Sequence, residues 1–285
     1  MHLGIARTLL AAWLDARKNG GQIGMRVEDI DTPRAVPGAT QAIFDDLAWM
    51  GLHWEGEPVF QSARSGAYEA AIAQLSAQGR VYPCTCTRKE IVASAPHGPG
   101  DEGPRYPGTC RDPARRVAGR PAALRLETRP GDVVAHTDAI YGDASQDVHA
   151  AVGDFILRRS DGLWAYQLAV TVDDLAQDVT HIVRGADLLP STARQILLRN
   201  LLDPAANPLR TLHVPLIRGP DGRRLAKRDG DAGIATRRQN GERPEALVGF
   251  LASSLGLVPA GTELTARALV EHWNPAAIST RDVLF

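Results

Sequence analysis

The chain has 285 residues, of which 44% are hydrophobic and 23% charged, with a formal net charge of −1. That is enough to bury a sizeable core, as one large domain with an insertion or as two to three lobes. No apolar run approaches the about 20 residues of a membrane helix, and the start lacks the basic stretch, apolar core and small-residue cleavage site of a signal peptide, so the expected compartment is the cytoplasm.

From Ile5 to about Lys18, Ile5, Leu9, Leu10, Trp13 and Leu14 recur at helical spacing, and Gly20-Gly21 stops that helix. QIGMRVED (22–29) reads as a buried strand ending in carboxylates. A second helix is expected from Ala39 to Met50 and a third from Arg64 to Gln78, the latter with Tyr68, Ile72 and Leu75 on one face. Helix–strand–helix order of this kind predicts an α/β fold, a parallel sheet with helices packed on its faces. From Val81 to about Val152 glycine and proline punctuate SAPHGPGDEGPRYPGTCRDP. Short strand candidates follow at AALRLE and DVVAH, and the region reads as an insertion outside the sheet. The α/β pattern resumes with DFILRRS, the turn Asp161-Gly162, WAYQLAVTVDD, VTHIVRG and a helix STARQILLRNLL that Ser191 or Thr192 is placed to cap. HVPLI leads into a Gly/Asp/Arg loop, and a helical tail carries Leu247, Phe250, Leu251 and Leu255 before an irregular end, NPAAISTRDVLF.

Three stretches could carry chemistry. HLGIAR (2–7) opens the first helix, where free N–H groups and the helix dipole attract phosphate. Gly4 permits close approach to the backbone, and His2 can donate to developing phosphate charge. RRLAKRDG (223–230) places Lys227 and Arg228 between glycines as a cationic clamp suited to a triphosphate. RVEDIDTPR (26–34) sets Glu28, Asp29, Asp31 and Arg34 at the C-terminal end of a strand, where open α/β sheets bind ligands. Each alone also reads as ordinary surface. The same holds for two basic patches, RDPARRVAGR (111–120) and RGPDGRRLAKRDG (218–230), as RNA contacts. The three cysteines, Cys84, Cys86 and Cys110, fall in one short segment, which favours a structural zinc site over a disulfide framework. Ligand chemistry alone selects His97 as the fourth ligand; three reduced thiols without metal are the plain alternative.

Together and in this order, these pieces resemble class I aminoacyl-tRNA synthetases: HLGI looks like a variant of their His-Ile-Gly-His signature, and RLAKR occupies the place of their Lys-Met-Ser-Lys-Ser loop. RVEDIDTPR, YQLAVTVDD and THIVRGADLLPSTARQ resemble the glutamyl branch. YPCTCTRKEI followed by YPGTCR resembles the truncated members of that branch that act on queuosine in the anticodon of tRNA(Asp). The resemblance implies a Rossmann-type catalytic domain (1–80 and 153–205), a zinc-containing insertion facing the tRNA (81–152), and a mobile ATP loop with a helical C-terminal region (206–285). It implies Cys84, Cys86, Tyr106 and Cys110 as zinc ligands, in place of His97. It also implies Glu28, Tyr166 and Arg184 as contacts to L-glutamate, and His2, Gly4 and Lys227 at ATP, with His2 and Lys227 catalytic and Mg²⁺ accompanying the nucleotide. The plainer alternatives are a core aromatic on a strand for Tyr166 and a surface ion pair for Arg184.

The chain departs from the pattern in three places. The strand before His-Leu-Gly, with its Arg-Phe-Ala-Pro-Ser-Pro segment, is absent, which suggests a start assigned too late or a truncated gene. Arg224 and Ala226 stand where lysine and serine are usual, and the end falls where glutamyl-tRNA synthetases continue into an anticodon-binding region. The implied activity is ATP-dependent activation of glutamate and its transfer to tRNA(Asp) bearing queuosine, by a monomer. The alternatives are a truncated glutamyl-tRNA synthetase charging tRNA(Glu), a non-catalytic zinc-containing RNA-binding module and, more distantly, a nucleotidylyltransferase.

Overall fold

The computed structural model describes residues 1–30, 38–94, 105–219, 222 and 233–284. Its helices are α1 (Leu3–Lys18), α2 (Ala39–Trp49), α3 (Ser65–Ala77), α4 (Arg88–Ser94), α5 (Val148–Ala151), α6 (Tyr166–Ala176), α7 (Thr192–Leu202), α8 (Gly233–Gln239), α9 (Pro244–Ser254) and α10 (Ala266–Leu269). Its strands in the first half are β1 (Arg26–Val27), β2 (Val59–Phe60), β3 (Val81–Cys84), β4 (Ala123–Leu126), β5 (Val133–Val134), β6 (Thr137–Asp138), β7 (Gly142–Asp143) and β8 (Gln146–Asp147). In the second half they are β9 (Phe155–Arg158), β10 (His181–Gly185), β11 (Arg210–Val214), β12 (Ile217–Arg218) and β13 (Val283–Leu284). None of the described helices is long and apolar enough to cross a membrane.

The central sheet runs β10-β11-β6-β7, parallel across its first three strands and antiparallel at the β7 edge. Its parallel part agrees with the expected α/β class, but β6 and β7 come from the 81–152 region expected to lie outside the sheet: Thr137–Asp138 pairs beside β11, where the Asp138 carboxylate accepts from the Thr211 hydroxyl and the His213 N–H. Leu3, Leu10 and Leu14 of α1 pack with Leu212 and Val214 of β11 and with Leu247 and Leu251 of α9 in one core. A second core joins Tyr68 and Leu75 of α3, Leu168 and Val172 of α6, and Leu197 and Leu198 of α7 to Leu126, Phe155 and Leu157. Those last three belong to the antiparallel sheet β3-β4-β9, so strand pairing runs across residue 153 without a break.

Four local expectations are corrected. Within QIGMRVED only Arg26–Val27 is a strand, half-buried and paired in parallel with Val59–Phe60; beyond it Glu28 lies beside Arg26, and Asp29 accepts from the Ser62 N–H and hydroxyl instead of extending the pairing. WAYQLAVTVDD is not a strand: Tyr166 begins α6, and Tyr166 is therefore not a core aromatic on a strand. Val170, Thr171 and Val172 favour strands in isolation, but packing against α3 and α7 overrides that preference. Ser191 is the N-cap residue of α7, yet its side chain makes no capping bond. Its hydroxyl accepts from Gln167 and Arg194, and that of Thr192 accepts from Arg184. Finally, the C-terminal stretch contributes β13, which pairs in parallel with β12.

Candidate active site

The N-terminus of α1, the C-terminal end of β10 and the segment after β11 surround a cavity of about 190 Å³, lined by His2, Gly4, Arg7, Arg184 and Gly185 together with Pro215–Ile217. His2 is the N-cap residue of α1. Its Nδ1 accepts from the Ile5 N–H at 3.3 Å, which in the neutral ring leaves the proton on Nε2 as a donor. A Cβ on Gly4 would lie 3.3 Å from the His2 ring, so glycine lets the imidazole rest over the first turn. The opening turn thus borders the same cavity as the residues leading from β11 into β12. Lys227, Arg228, Asp31, Arg34 and His97 lie outside the described residues.

Arg7 was not singled out in the sequence, although it closes the HLGIAR stretch. It is 1% exposed, and it donates through Nη2 to the Pro215 carbonyl, bridging α1 to the turn between β11 and β12. Burial brings its pKa down to about 10, against the opposing charge of Asp282. It remains a cation at neutral pH.

Arg184 joins this cavity to the other two expected glutamate contacts. It is buried, donates from Nε to His213 Nε2 at 3.0 Å and from Nη2 to Thr192 Oγ1 at 2.8 Å, and lies within hydrogen-bonding reach of Tyr166. Tyr166 stands at the start of α6, where burial and the nearby charge of Glu28 both raise its pKa and keep it protonated. Glu28 follows β1 directly, with its carboxylate 3.6 Å from Arg26. Arg26 is itself held by Asp174 at 2.7 Å and Gln177 at 2.9 Å. Burial raises the pKa of Glu28, with Arg26 opposing and Asp174 adding to the rise. Glu28, Tyr166 and Arg184 therefore share one electrostatic neighbourhood carrying an anion, a neutral hydroxyl and a cation. That set can hold an amino acid by its ammonium and a carboxylate. Asp29 is used differently: it accepts from the backbone N–H and hydroxyl of Ser62, pinning the chain after β1 to the segment before α3.

Two acids at the C-terminal end of α6 oppose the helix dipole. They are compensated by long-range partners: Asp173 accepts from Gln61, Tyr68 and Arg64, and Asp174 from Arg26. No sequence pattern announced either pairing.

The cysteines converge some way along the chain. The sulfurs of Cys84, Cys86 and Cys110 lie within 4.8 Å of one another. Cys86 and Cys110 are 3.4 Å apart, and the Tyr106 hydroxyl is 3.3 Å from Cys84 Sγ and 3.5 Å from Cys86 Sγ. Zinc bonded at about 2.3 Å to tetrahedral thiolates separates neighbouring sulfurs by about 3.8 Å, so the donor set fits such an ion with small adjustment. Without a cation, burial and the adjoining sulfurs push the Tyr106 hydroxyl well above its usual pKa; a bound cation reverses that preference. The Arg125 guanidinium lies 3.9 Å from the centre of the Tyr106 ring.

The basic patch beside this cluster is mostly spent on structure. Arg111 pairs with Asp154 at 2.5 Å, Arg116 donates to the Cys110 carbonyl, and Arg120 donates to the Thr85 carbonyl and to Glu90. Only Arg115 of the four stands well out, with its side chain 68% exposed, so an RNA contact from this patch rests chiefly on that residue.

Comparison with known proteins agrees with this geometry. The family model of class I tRNA synthetases of the E and Q type, catalytic domain, matches residues 1–273. A Glutamyl-Q tRNA(Asp) synthetase of Symbiobacterium thermophilum is 44% identical over 300 aligned positions, covering 99% of this chain and 91% of that protein. One of Bordetella bronchiseptica is 53% identical, over 81% of this chain and 72% of its own length. Among solved structures, a glutamate-tRNA synthetase from Elizabethkingia anophelis superimposes with a TM-score of 0.79 at 26% identity; all of this chain matches 65% of that one. The chain belongs to the class I tRNA synthetase family of the glutamate and glutamine type.

Proposed function

We propose that the protein activates L-glutamate with ATP and transfers it to queuosine in the anticodon of tRNA(Asp). The observation that carries this reading is the 44% identity, along nearly the whole chain, to a relative named Glutamyl-Q tRNA(Asp) synthetase. The glutamate α-carboxylate attacks the α-phosphate of ATP, forming glutamyl-adenylate as pyrophosphate leaves. A hydroxyl on the queuosine ring then attacks the activated carbonyl, and AMP departs. Glu28 pairs the ammonium, Arg184 offers a planar fork to a carboxylate and Tyr166 adds an uncharged hydroxyl. The start of α1 with His2 and Gly4, together with Lys227, neutralises the phosphates, with Mg²⁺ accompanying the nucleotide. Alignment and charge neutralisation suffice, so no covalent enzyme intermediate is required. Cys84, Cys86, Cys110 and Tyr106 would hold zinc, whose contribution is to tie the end of β3 to the segment carrying Tyr106 and Cys110, on the side assigned to tRNA.

The test supplies purified protein with ATP, labelled glutamate and separate tRNAs. Label on tRNA(Asp) carrying queuosine, and none on tRNA(Asp) lacking it or on tRNA(Glu), is the expected result. The likeness to glutamate-tRNA synthetase favours a second reading, the charging of tRNA(Glu), and label on that tRNA would establish it instead. Glutamate-dependent ATP–pyrophosphate exchange, assayed with and without tRNA, separates both from a non-catalytic RNA-binding module, which would show none.

A further inference from the structure

Arg184 and His213 are direct partners in the parallel pairing of β10 with β11, and Thr211, two residues before His213, pairs with Asp138 of β6. The register of three adjacent strands therefore lines up a carboxylate, an imidazole and a guanidinium across the sheet. Asp138 Oδ2 lies 2.7 Å from His213 Nδ1, and His213 Nε2 accepts from Arg184 Nε at 3.0 Å. Thr192 closes the group, with Oγ1 2.8 Å from Arg184 Nη2 and 3.2 Å from His213 Nε2. All four residues are at least nine-tenths buried.

The donor arithmetic admits one arrangement. A guanidinium can only donate, so His213 Nε2 must present its lone pair. The ring proton then sits on Nδ1, facing Asp138. That carboxylate is held in turn by the backbone N–H groups of Ile140 and Tyr141 and by the Thr211 hydroxyl.

We infer that Asp138 and His213 are positioning residues for the amino-acid substrate: Asp138 fixes the Nδ1-protonated tautomer of His213, and that tautomer, with Thr192, orients the Arg184 guanidinium toward the substrate carboxylate. The inference rests on Arg184 contacting glutamate as proposed above. It deepens that reading by naming residues that act through Arg184 without touching the substrate. A neutral imidazole also holds the guanidinium without neutralising it, so the positive charge stays available to the ligand. A carboxylate placed directly against Arg184 would compete with the substrate for the same fork.

The experiment measures KM for glutamate and for ATP in the exchange reaction for Asp138→Asn, His213→Asn and His213→Gln. Asp138→Asn puts an amide against Nδ1 and favours the opposite tautomer, whose Nε2–H would face the Arg184 donor. His213→Asn keeps a group near Asp138 but loses the acceptor at Arg184, whereas His213→Gln can return one. Loss of one hydrogen bond to a charged group corresponds to about tenfold to a hundredfold. Asp138→Asn and His213→Asn should raise KM for glutamate by that factor with KM for ATP nearly unchanged, and His213→Gln should recover most of the loss. Equal increases in both constants, or no recovery with glutamine in a folded variant, would overturn the inference. Nitrogen-15 NMR of the unsubstituted protein decides the tautomer independently of whether any variant folds: Nδ1 protonation supports the relay, and Nε2 protonation refutes it. Arg184→Lys separates the two levels. An unchanged KM for glutamate in that variant refutes the assignment of Arg184 to the substrate even where NMR shows the relay intact.

Discussion

At the scale of single residues, the charges in the site were visible in the sequence while the groups that orient them were not. Glu28 follows a strand in an acidic run and Arg184 lies in VRGADLL, so both could be singled out by residue type and by the family pattern. His213 sits among apolar residues in HVPLI and reads as a core histidine; its position near the C-terminal end of a parallel strand was the one available signal. Glu28→Gln removes the charge assigned to the substrate ammonium and should raise KM for glutamate about tenfold or more, measured by pyrophosphate exchange. Because burial raises the Glu28 pKa, the acid limb of kcat/KM should begin above the ordinary carboxylate range near pH 4.3, and the glutamine variant should lack that limb. His213 gives a stability prediction of definite sign. Burial lowers its pKa, Asp138 opposes that, and the Arg184 charge adds to it, with Asp187 and His136 also facing the ring. The unfolded chain then takes up the proton first as pH falls below about 6.5. Stability declines there by up to about 1.4 kcal/mol per pH unit until the folded pKa is reached. Urea titrations from pH 7.5 to 5.5 should show a shallower decline in His213→Gln, and an unaltered slope would refute it. Asp138 behaves in the opposite sense. Burial opposes its ionisation, but bonds from His213 and two backbone N–H groups hold its pKa at about 2. Its contribution is present above the usual carboxylate range and is lost only in strong acid.

At the scale of elements, helices with a clear apolar stripe were legible and short strands were not. The spacing of Leu10, Trp13 and Leu14 locates α1, observed as Leu3–Lys18, to within a turn. Two-residue strands such as β1, β12 and β13 carry no period to detect, since they exist only through pairing with segments far along the chain. β13 has a specific consequence. Asp282 accepts from the Leu216 N–H at 2.7 Å and from Arg218, and the Val283 N–H donates to the Leu216 carbonyl. The C-terminal segment thereby braces the strand that leads directly into GPDGRRLAKR. Asp282→Ala should destabilise the protein by about 1 kcal/mol, the partly exposed ion pair adding little. It should raise KM for ATP more than KM for glutamate. Equal effects on the two would show that β13 supports the whole site and not the approach to the cationic loop in particular.

At the scale of the whole molecule, the cysteine cluster has its own small core of Tyr82, Cys84, Tyr106 and Cys110, apart from the two large ones. Local unfolding of that unit need not disturb the sheet carrying Arg184. Cys110→Ser, or a chelator directed at the zinc site proposed above, should therefore depress transfer to tRNA several-fold more than pyrophosphate exchange. Leu168→Ala, by contrast, opens the fully buried second core and should cost about 2–5 kcal/mol with both activities falling together. The α/β class, the ends of the long helices and the family are legible along the chain, because apolar periodicity and ordered motifs are local properties of it. So are the three cysteines, since they lie within 27 consecutive positions, 84–110. Long-range packing makes α6 a helix despite its β-branched run, sets most of the 111–120 arginines to holding the chain together, and stands Asp138 and His213 behind Arg184. Each of these depends on partners brought together by packing and strand register, and register is a relation between distant segments that no local pattern encodes.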